Sequence, residues 1–246
     1  MNSVQASVGK MNEMKMFGMA RSYQAMQQAG GNMDLTLDEA ISHLVDSEWD
    51  ERHNRRLNRL TKAARFRYQA SLVDLDYSFD RGLDKNLILR LSDCTWINRS
   101  EDILATGPSG VGKSFIITAL GFQACQYGYS VGYFSSANLF REIKEAKASG
   151  SYLKYLHKVM KNTVLILDDF GLEKLDLTSR MALMEIMEDR HSRKSTIIVS
   201  QRPVALWHEC IGDPTIADAI MDRVAYKSHR IELKGDSIRK KLYRVD

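Results

Sequence analysis

From about residue 100 onward, short apolar runs alternate with longer segments whose apolar residues recur at helical spacing. The runs predict strands at 102–106, 130–135, 163–168, 196–200 and 229–233. The segments between them predict helices at 113–126, at 137–160 with a break near 149–150, at 179–191 and at 213–224. Strands that alternate with helices form a parallel sheet with helices on both faces. We therefore predict an α/β fold for this part of the chain.

The first part of the chain has helical periodicity alone. Its first helix has one apolar stripe, formed by Met16, Met19, Tyr23 and Met26. The glycine-containing segment 30–32 ends that helix. Thr36 and Glu39 then form a capping-box pattern, which predicts that a second helix starts there and continues over about 36–70.

This change of pattern predicts two domains, an all-α N-terminal domain at 1–78 and an α/β domain at 79–246. Residues 79–100 read as a linker with a short helix. The net charge is +4, and no run of 18 apolar residues predicts a membrane span. The start of the chain lacks the apolar core of a signal peptide, and the three cysteines form no metal or disulfide pattern. We therefore expect a cytoplasmic protein without membrane partners.

One face of the second predicted helix is basic. Its basic residues recur at i, i+3, i+4, i+7 and i+10, and they are Arg52, Arg55, Arg56, Arg59 and Lys62. No acidic residue lies between Arg52 and Arg67, so we expect no intrahelical partner for this stripe. It fits the phosphate backbone of duplex DNA, which it would bind without reading the base sequence. A solvated face, or a surface for an acidic partner protein, fits the charge equally well.

The strongest chemical signal follows the first predicted strand. Eight residues match the phosphate-binding pattern G-x-x-x-x-G-K-[ST], and they are Gly107, Pro108, Ser109, Gly110, Val111, Gly112, Lys113 and Ser114. Glycines let backbone amides turn toward phosphate oxygens, the lysine reaches the β- and γ-phosphates, and the hydroxyl is placed to hold Mg²⁺. A strand before this loop and a helix after it are the expected context. The sequence therefore predicts an ATP site that uses Mg²⁺.

Polar residues at the ends of two later strands complete this prediction. Asp168 and Asp169 follow an apolar run, where we expect Asp168 to act on Mg²⁺ through water and Asp169 to orient and deprotonate the attacking water. Ser200 and Gln201 end the next strand, where a polar side chain can touch the γ-phosphate. Two candidate arginines follow the complete ATP site along the chain. They are Arg223, which ends an amphipathic helix, and Arg239, which lies in a basic terminal segment.

These motifs together resemble the AAA+ ATPases, in the branch of initiators and helicase loaders that includes DnaA and DnaC. Within that branch the chain is similar to the IstB-like transposition helper ATPases, on residues 48–56, 107–114, 165–169, 198–207, 216–224 and 235–239. The resemblance implies a P-loop AAA+ sheet. It implies that Arg223 is an arginine finger acting on a neighbouring subunit, that Arg239 is sensor 2, and that Ser200 or Gln201 is sensor 1.

The resemblance also implies partners. It places Lys144 and Lys147, with other lysines of 136–161, in a helical insert that faces DNA, although a solvated face explains them almost as well. It implies an ATP-dependent oligomer on duplex DNA that recruits or activates a transposase and is dismantled by hydrolysis. A helicase loader acting on single-stranded DNA is the alternative. The paired acids and the two arginines oppose a small-molecule kinase, and turnover that depends on Asp169 would exclude a structural DNA binder without hydrolysis.

Overall fold

The computed structural model describes residues 3–29 and 35–238. The chain divides into two compact units, Met1–Arg59 and Leu60–Asp246. The division lies earlier in the chain than the boundary predicted after residue 78. The segment after residue 60 belongs to the second unit because Phe66 packs edge-on against the Tyr133 ring, with a centroid distance of 6.2 Å, and also lies against Gly121.

The first unit is helical, as predicted. Helices α1 (Ser3–Glu13) and α2 (Phe17–Ala29) precede α3 (Leu37–Ala64), the last residues of which extend into the second unit. The capping box at the start of α3 is confirmed, since the Thr36 amide donates to Glu39 Oε2 (2.8 Å) and the Glu39 amide donates to Thr36 Oγ1 (3.3 Å). The segment 30–32, predicted to end the first helix, lies outside the described residues.

Helix α3 is shorter than the predicted range of 36–70. It ends at Ala64, and Arg65 has a φ of 58°, a left-handed conformation that a right-handed helix cannot continue through. The residues that follow are mostly irregular, with one 3₁₀ turn at Leu72–Asp74. The helix predicted over about 36–70 therefore ends six residues early, and residues 65–84 contain no further α-helix.

The second unit contains a parallel sheet of five strands. They are β1 (Asp102–Thr106), β2 (Val131–Ser135), β3 (Val164–Phe170), β4 (Ser195–Ser200) and β5 (Ser228–Glu232). Their order across the sheet is β2-β3-β4-β1-β5, and every neighbouring pair is parallel. The carboxyl ends of all five strands therefore meet at one edge, and β4 lies between β1 and β3. The α/β prediction is confirmed.

Helices flank the sheet. They are α4 (Lys85–Ser92), α5 (Thr95–Asn98), α6 (Lys113–Gln126), α7 (Ser136–Ala148), α8 (Tyr152–Met160), α9 (Leu177–Arg190), α10 (Trp207–Ile211) and α11 (Pro214–Ala225). Helices α6 to α9 and α11 lie close to their predicted positions, whereas α10 was not predicted and the segment 79–100 contains two short helices instead of one. Leu165 and Leu167 of β3 belong to one buried cluster with residues of α7 to α11. The alternate residue Ile166 lies against Gly121 of α6. Because successive side chains of a strand point to opposite faces, helices cover both faces of this sheet.

A buried carboxylate stands at the amino-terminal edge of the sheet. Asp102, the first residue of β1, accepts a hydrogen bond of 2.6 Å from the Thr196 amide of β4. Burial raises the pKa of this carboxyl to about 7, although that hydrogen bond and the nearby Arg190 guanidinium both act to lower it. This edge is opposite to the one that carries the phosphate-binding motif.

Residues 3–29 and 35–238 include no helix that is both long enough and apolar enough to cross a bilayer. The three cysteines, Cys94, Cys125 and Cys210, are buried free thiols.

Candidate nucleotide-binding site

The predicted phosphate-binding loop joins β1 to α6. Lys113 is the first residue of α6, so the amides of the first helical turn point back into the loop. Gly107 has a φ of 144° and Gly112 a φ of 94°, and a Cβ at Gly107 would lie 2.3 Å from the Leu233 carbonyl oxygen. Only glycine fits these two positions. The loop therefore has the conformation that its sequence predicts.

Lys113 lies within this loop. Its Nζ donates to the carbonyl oxygens of Gly107 and Pro108, both at 2.7 Å. Burial lowers the pKa of this ammonium, and the carboxylates of Asp168 and Asp169 oppose that effect. The Lys113 ammonium is thus held by backbone carbonyl groups of the loop, in a position to bind phosphate oxygens.

Asp168 is a fully buried carboxylate at the end of β3. Ser114 Oγ donates to Asp168 Oδ1 at 3.1 Å, which joins the two residues predicted to hold Mg²⁺. The Tyr133 hydroxyl of β2 donates to Asp168 Oδ2. Burial raises the pKa of Tyr133, as does its hydrogen bond to Asp168, so the phenol stays protonated and remains a donor. Sequence reasoning missed Tyr133. The signal that could have found it is a hydroxyl group in an otherwise apolar strand, since a buried hydroxyl needs a polar partner.

Asp169 turns out of the sheet toward solvent. The register of β3 against β4 shifts between Leu167 and Phe170, and Asp169 has a φ of 57° at this irregularity. Strand β3 therefore continues to Phe170, two residues beyond the predicted end at 168. The bulge aims successive carboxylates in different directions, so that Asp168 stays buried and Asp169 is half-buried. Arg67 Nη1 lies 3.5 Å from Asp169 Oδ2, a pairing the sequence did not predict.

A cavity of about 580 Å³ lies at this edge of the sheet. Residues predicted for the ATP site line it, and they are Ser109, Gly110, Gly112, Lys113, Ser114, Asp169 and Gln201. Residues between 67 and 81 also line it, among them Arg67, Tyr68 and Phe79. Its volume is that of a typical small-ligand site, and its lining contains both charged groups and aromatic rings. This arrangement suits a nucleotide.

Arg81 is a buried cation at the cavity that sequence reasoning missed. Its Nη1 donates to the Val111 carbonyl oxygen (3.1 Å) and its Nη2 to the Asp76 carbonyl oxygen (2.7 Å). Its Nε is buried without a partner among the described atoms. Burial lowers the pKa of the guanidinium, and the charge of Asp76 opposes this. Arg81 therefore fastens the segment before α4 to the phosphate-binding loop.

The two candidate sensor residues of β4 have different environments. Ser200 is fully buried, donates from Oγ to the Phe170 carbonyl oxygen (2.7 Å) and accepts from the Arg202 amide (3.1 Å). Gln201 lines the cavity. Ser200 thus ties the end of β4 to the end of β3, and Gln201 is the one placed to meet a ligand.

Comparison with known proteins agrees with this geometry. The family model described as IstB-like ATP binding protein matches residues 9–245. The chain belongs to this family. A putative insertion sequence ATP-binding protein of Sinorhizobium fredii is 41% identical over 234 residues, which cover 95% of this chain and 96% of that protein.

Solved structures share the fold of this IstB-like chain. The crystal structure of DnaI has a TM-score of 0.59 and 23% identity, covering 67% of this chain and 91% of DnaI. AMPPCP-bound DnaA from Aquifex aeolicus has a TM-score of 0.57 and 18% identity, covering 72% of this chain and 54% of that one. These neighbours confirm the predicted P-loop AAA+ fold. This IstB-like chain is accordingly an ATP-binding protein with the fold of the AAA+ ATPases.

The candidate arginine finger lies apart from the cavity that this chain itself forms. Arg223, near the end of α11, forms an ion pair with Glu188 of α9 and donates from Nη1 to the Ala219 carbonyl oxygen (2.8 Å). It is not among the described residues that line the cavity. The candidate sensor 2, Arg239, lies outside the described residues.

The basic stripe of α3 is exposed, but part of it is paired. Arg52 Nε lies 2.6 Å from Glu48 Oε1, and Arg55 Nε lies 2.9 Å from Glu51 Oε1. The expectation that no intrahelical partner neutralises the stripe is therefore wrong. Both acids precede Arg52 in the chain, whereas the expectation rested on the absence of acids between Arg52 and Arg67. Two further exposed positions of the stripe are Arg59 and Lys62, and no ion pair engages them within the described part of the chain.

The predicted insert forms helices α7 and α8. Lys144 of α7 forms an ion pair with Asp176, whose carboxylate also accepts from the Ser179 amide at the start of α9. The ammonium of Lys144 is the largest cause that lowers the pKa of Asp176 to about 2. A contact of Lys144 with DNA would require it to leave this acid. Lys147 is exposed in the last turn of α7.

Proposed function

We propose that this chain is an ATP-dependent DNA-binding helper of transposition. It assembles on duplex DNA, recruits or activates a transposase, and is released when ATP is hydrolysed. The observation that carries the proposal is the juxtaposition of Lys113, Ser114 and Asp169 at one cavity, with the buried Asp168 hydrogen-bonded to Ser114, in a chain whose family members are named as insertion sequence ATP-binding proteins.

Phosphate binding is assigned to the loop and its two polar side chains. Lys113 and the amides at the start of α6 supply positive charge for the β- and γ-phosphates. Mg²⁺ prefers hard oxygen ligands, and Ser114 Oγ with the buried Asp168 carboxylate forms such a pair. These residues therefore fit the ion, which when bound neutralises charge on the phosphates. Tyr133 keeps Asp168 in place from the other side.

Water activation is assigned to Asp169. Its half-buried carboxylate lines the cavity beside Lys113 and is free of the hydrogen bonds that hold Asp168. A carboxylate there orients the attacking water and accepts its proton. Gln201 lines the same cavity and is proposed as the sensor of the γ-phosphate, with Ser200 fixing the backbone next to it. The position of Arg67 gives Asp169 a cationic neighbour.

Assembly is proposed to complete the active site. Arg223 contacts Glu188 in its own chain and lies outside the described lining of its own cavity, so as a finger it acts on ATP held by a neighbouring subunit. ATP then joins subunits because the γ-phosphate is the charge that Arg223 meets across the joint. Hydrolysis removes that charge and weakens the joint. Arg239 is proposed as sensor 2 from the resemblance alone.

DNA binding is assigned to the basic part of α3. Arg59 and Lys62 are exposed, and Arg52 and Arg55 project beside them with their charges partly balanced by Glu48 and Glu51. Such contacts go to phosphates and give sequence-independent affinity. Changing Arg59 and Lys62 together to glutamine should flatten the salt dependence of duplex binding by about two units of slope. An unchanged slope would assign this face to a protein partner instead.

The experiment that tests the proposal is steady-state ATP turnover without DNA, with duplex DNA and with single-stranded DNA, over a range of protein concentrations. Stimulation by duplex DNA, rising more steeply than linearly with protein, is expected. Preferential stimulation by single-stranded DNA would favour the alternative function, a helicase loader, which is what the structurally similar DnaC is named. No response to either DNA would refute both readings.

A further inference from the structure

Helix α3 has two halves of opposite charge. Residues 37–51 contain six acidic residues and no lysine or arginine, whereas residues 52–62 contain five basic residues and no acid. The ion pairs of Glu48 with Arg52 and of Glu51 with Arg55 lie where the two halves meet. A surface with this division cannot present one kind of binding site along its whole length, because the acidic half repels the phosphates that the basic half attracts.

The acidic half also has an exposed apolar stripe. Its members follow one another at intervals of four residues, with exposed fractions of 76% for Leu37, 50% for Ile41, 51% for Val45 and 63% for Trp49. The stripe is about 18 Å long at a rise of about 1.5 Å per residue. Large apolar side chains in such a continuous row mark an interaction site more often than isolated exposed ones do. This row is the apolar stripe of α3.

The charges beside the stripe indicate what covers it. Asp38, Asp46 and Asp50 are exposed and each follows the stripe by one position, so acids line one border of it. A second copy of this chain, paired through the same stripe, would place these acids near their own equivalents and be repelled. Duplex DNA is repelled in the same way. A basic amphipathic helix matches both the apolar row and its acidic border.

We propose that the apolar stripe of α3 docks an amphipathic helix of a partner protein, with lysines or arginines flanking the apolar face of that helix. The proposal rests on the proposed function, in which the partner is the transposase of the same insertion sequence. Because DNA is assigned to residues 52–62 and the partner helix to residues 37–50, one helix of this chain can hold both ligands together. The N-terminal unit then brings the transposase to the DNA on which the ATPase assembles.

Trp49 makes the proposal directly measurable. The chain has three tryptophans, and Trp96 and Trp207 are 2% and 1% exposed. Emission that iodide quenches therefore comes from Trp49. Titrating a tryptophan-free variant of the transposase into the full chain, without DNA or nucleotide, should shift this emission to the blue and protect it from iodide. The double variant Ile41→Ser and Val45→Ser should weaken binding at least about tenfold, since two apolar contacts are lost.

Two matched variants separate the partner from DNA. Asp46→Lys with Asp50→Lys should weaken transposase binding and reverse its salt dependence, while the apolar row is intact. Arg59→Gln with Lys62→Gln should leave transposase binding within about twofold and weaken DNA binding. All of these positions are exposed, so thermal unfolding should stay close to that of the parent chain.

Several results would overturn the proposal. A blue shift of the Trp49 emission on adding ATP alone, which becomes larger at higher concentrations of the chain, would show that a second copy of the chain covers the stripe. Trp49 already protected from iodide in the dilute chain would show that the chain covers it itself. Transposase binding that leaves Trp49 unchanged, with duplex-stimulated turnover present, would move the docking site elsewhere and leave the proposed function standing. If duplex DNA does not stimulate ATP turnover by the parent chain, the proposed function itself is refuted.

Discussion

Replacing Arg223 by alanine is expected to remove ATP turnover and to spare ATP binding. The guanidinium contacts Glu188 and the Ala219 carbonyl oxygen, and it lies outside the described lining of the chain's own cavity. The variant therefore keeps every described group that lines the cavity. It loses the contacts with Glu188 and Ala219, and the charge that we propose meets the γ-phosphate across a subunit joint.

The expected magnitude separates this role from that of an ordinary surface arginine. Arginine fingers contribute factors of about 10³ to 10⁵ to turnover, equivalent to about 4 to 7 kcal/mol. The ion pair with Glu188 joins side chains that are 24% and 60% exposed, and such pairs contribute about 0 to 1 kcal/mol. Glu188→Gln, which frees the arginine, should therefore change turnover by no more than about fivefold, and in the upward direction.

The assay is steady-state turnover with saturating duplex DNA, together with the affinity for a fluorescent ATP analogue. Arg223→Ala should lose at least about a thousandfold in turnover with analogue affinity within a few-fold of the parent. Glu188→Gln is the matched control for damage to the α9–α11 contact. Turnover of Arg223→Ala at or near the parent level would refute the finger. An equal loss in both variants would assign the effect to the packing of α9 and α11.

Three other changes test the site and the fold. Asp169→Asn should lower turnover at least about a hundredfold and preserve ATP affinity; unchanged turnover would remove Asp169 as the base. Arg81→Lys retains the charge but cannot donate to both the Val111 and the Asp76 carbonyl oxygens as the guanidinium does. The Kd for ATP should therefore rise about tenfold with kcat nearly constant. A fall in kcat alone would contradict the positioning role of Arg81. The pKa of Asp102 is about 7 in the folded chain and about 3.9 in the unfolded chain. The folded state therefore becomes less stable as pH rises from 4 to 7, by at most about 4 kcal/mol, because the buried carboxyl has to ionise. Asp102→Asn should gain stability over the parent at pH 8 and little at pH 4 in urea unfolding, and an equal difference at both would refute the assignment.

The phosphate-binding loop could be predicted in detail because its signal is local. The strand before it was predicted at 102–106 and is observed as Asp102–Thr106, and α6 begins at Lys113, as predicted. Fixed spacing, glycines that permit positive φ and an apolar run on either side all lie within about 20 residues. A pattern of this kind determines backbone and chemistry together, and no distant residue is needed to interpret it.

The residues that sequence reasoning missed belong to irregular segments or distant strands. Arg67 and Arg81 lie in the segment between α3 and α4, where no periodicity assigns a direction to a side chain. Tyr133 reaches Asp168 only because β2 pairs with β3, a fact of sheet order. The i, i+4 spacing of Glu48 and Arg52 is enough to indicate their ion pair. The sequence prediction missed it because it counted acids only after Arg52.

Asp169 shows a second limit of pattern reading. The sequence places two carboxylates at the end of one strand, and alternation alone would direct them to opposite faces of the sheet. The irregularity of β3 and the φ of 57° instead leave one buried and one facing the cavity. Backbone departures of this kind depend on how β3 and β4 meet, which the residue pattern of either strand does not contain.

The most direct test of the account is complementation between two inactive variants. Arg223→Ala keeps its own Asp169, and Asp169→Asn keeps its own Arg223. If the arginine acts across subunits, a joint is complete when Arg223→Ala holds the ATP and Asp169→Asn supplies the arginine. Mixing equal amounts with ATP and duplex DNA should restore roughly a quarter of the parent turnover, because one joint in four is complete when the subunits assemble at random. A mixture as inactive as its two components, with both variants binding ATP and assembling on DNA, would contradict the shared active site.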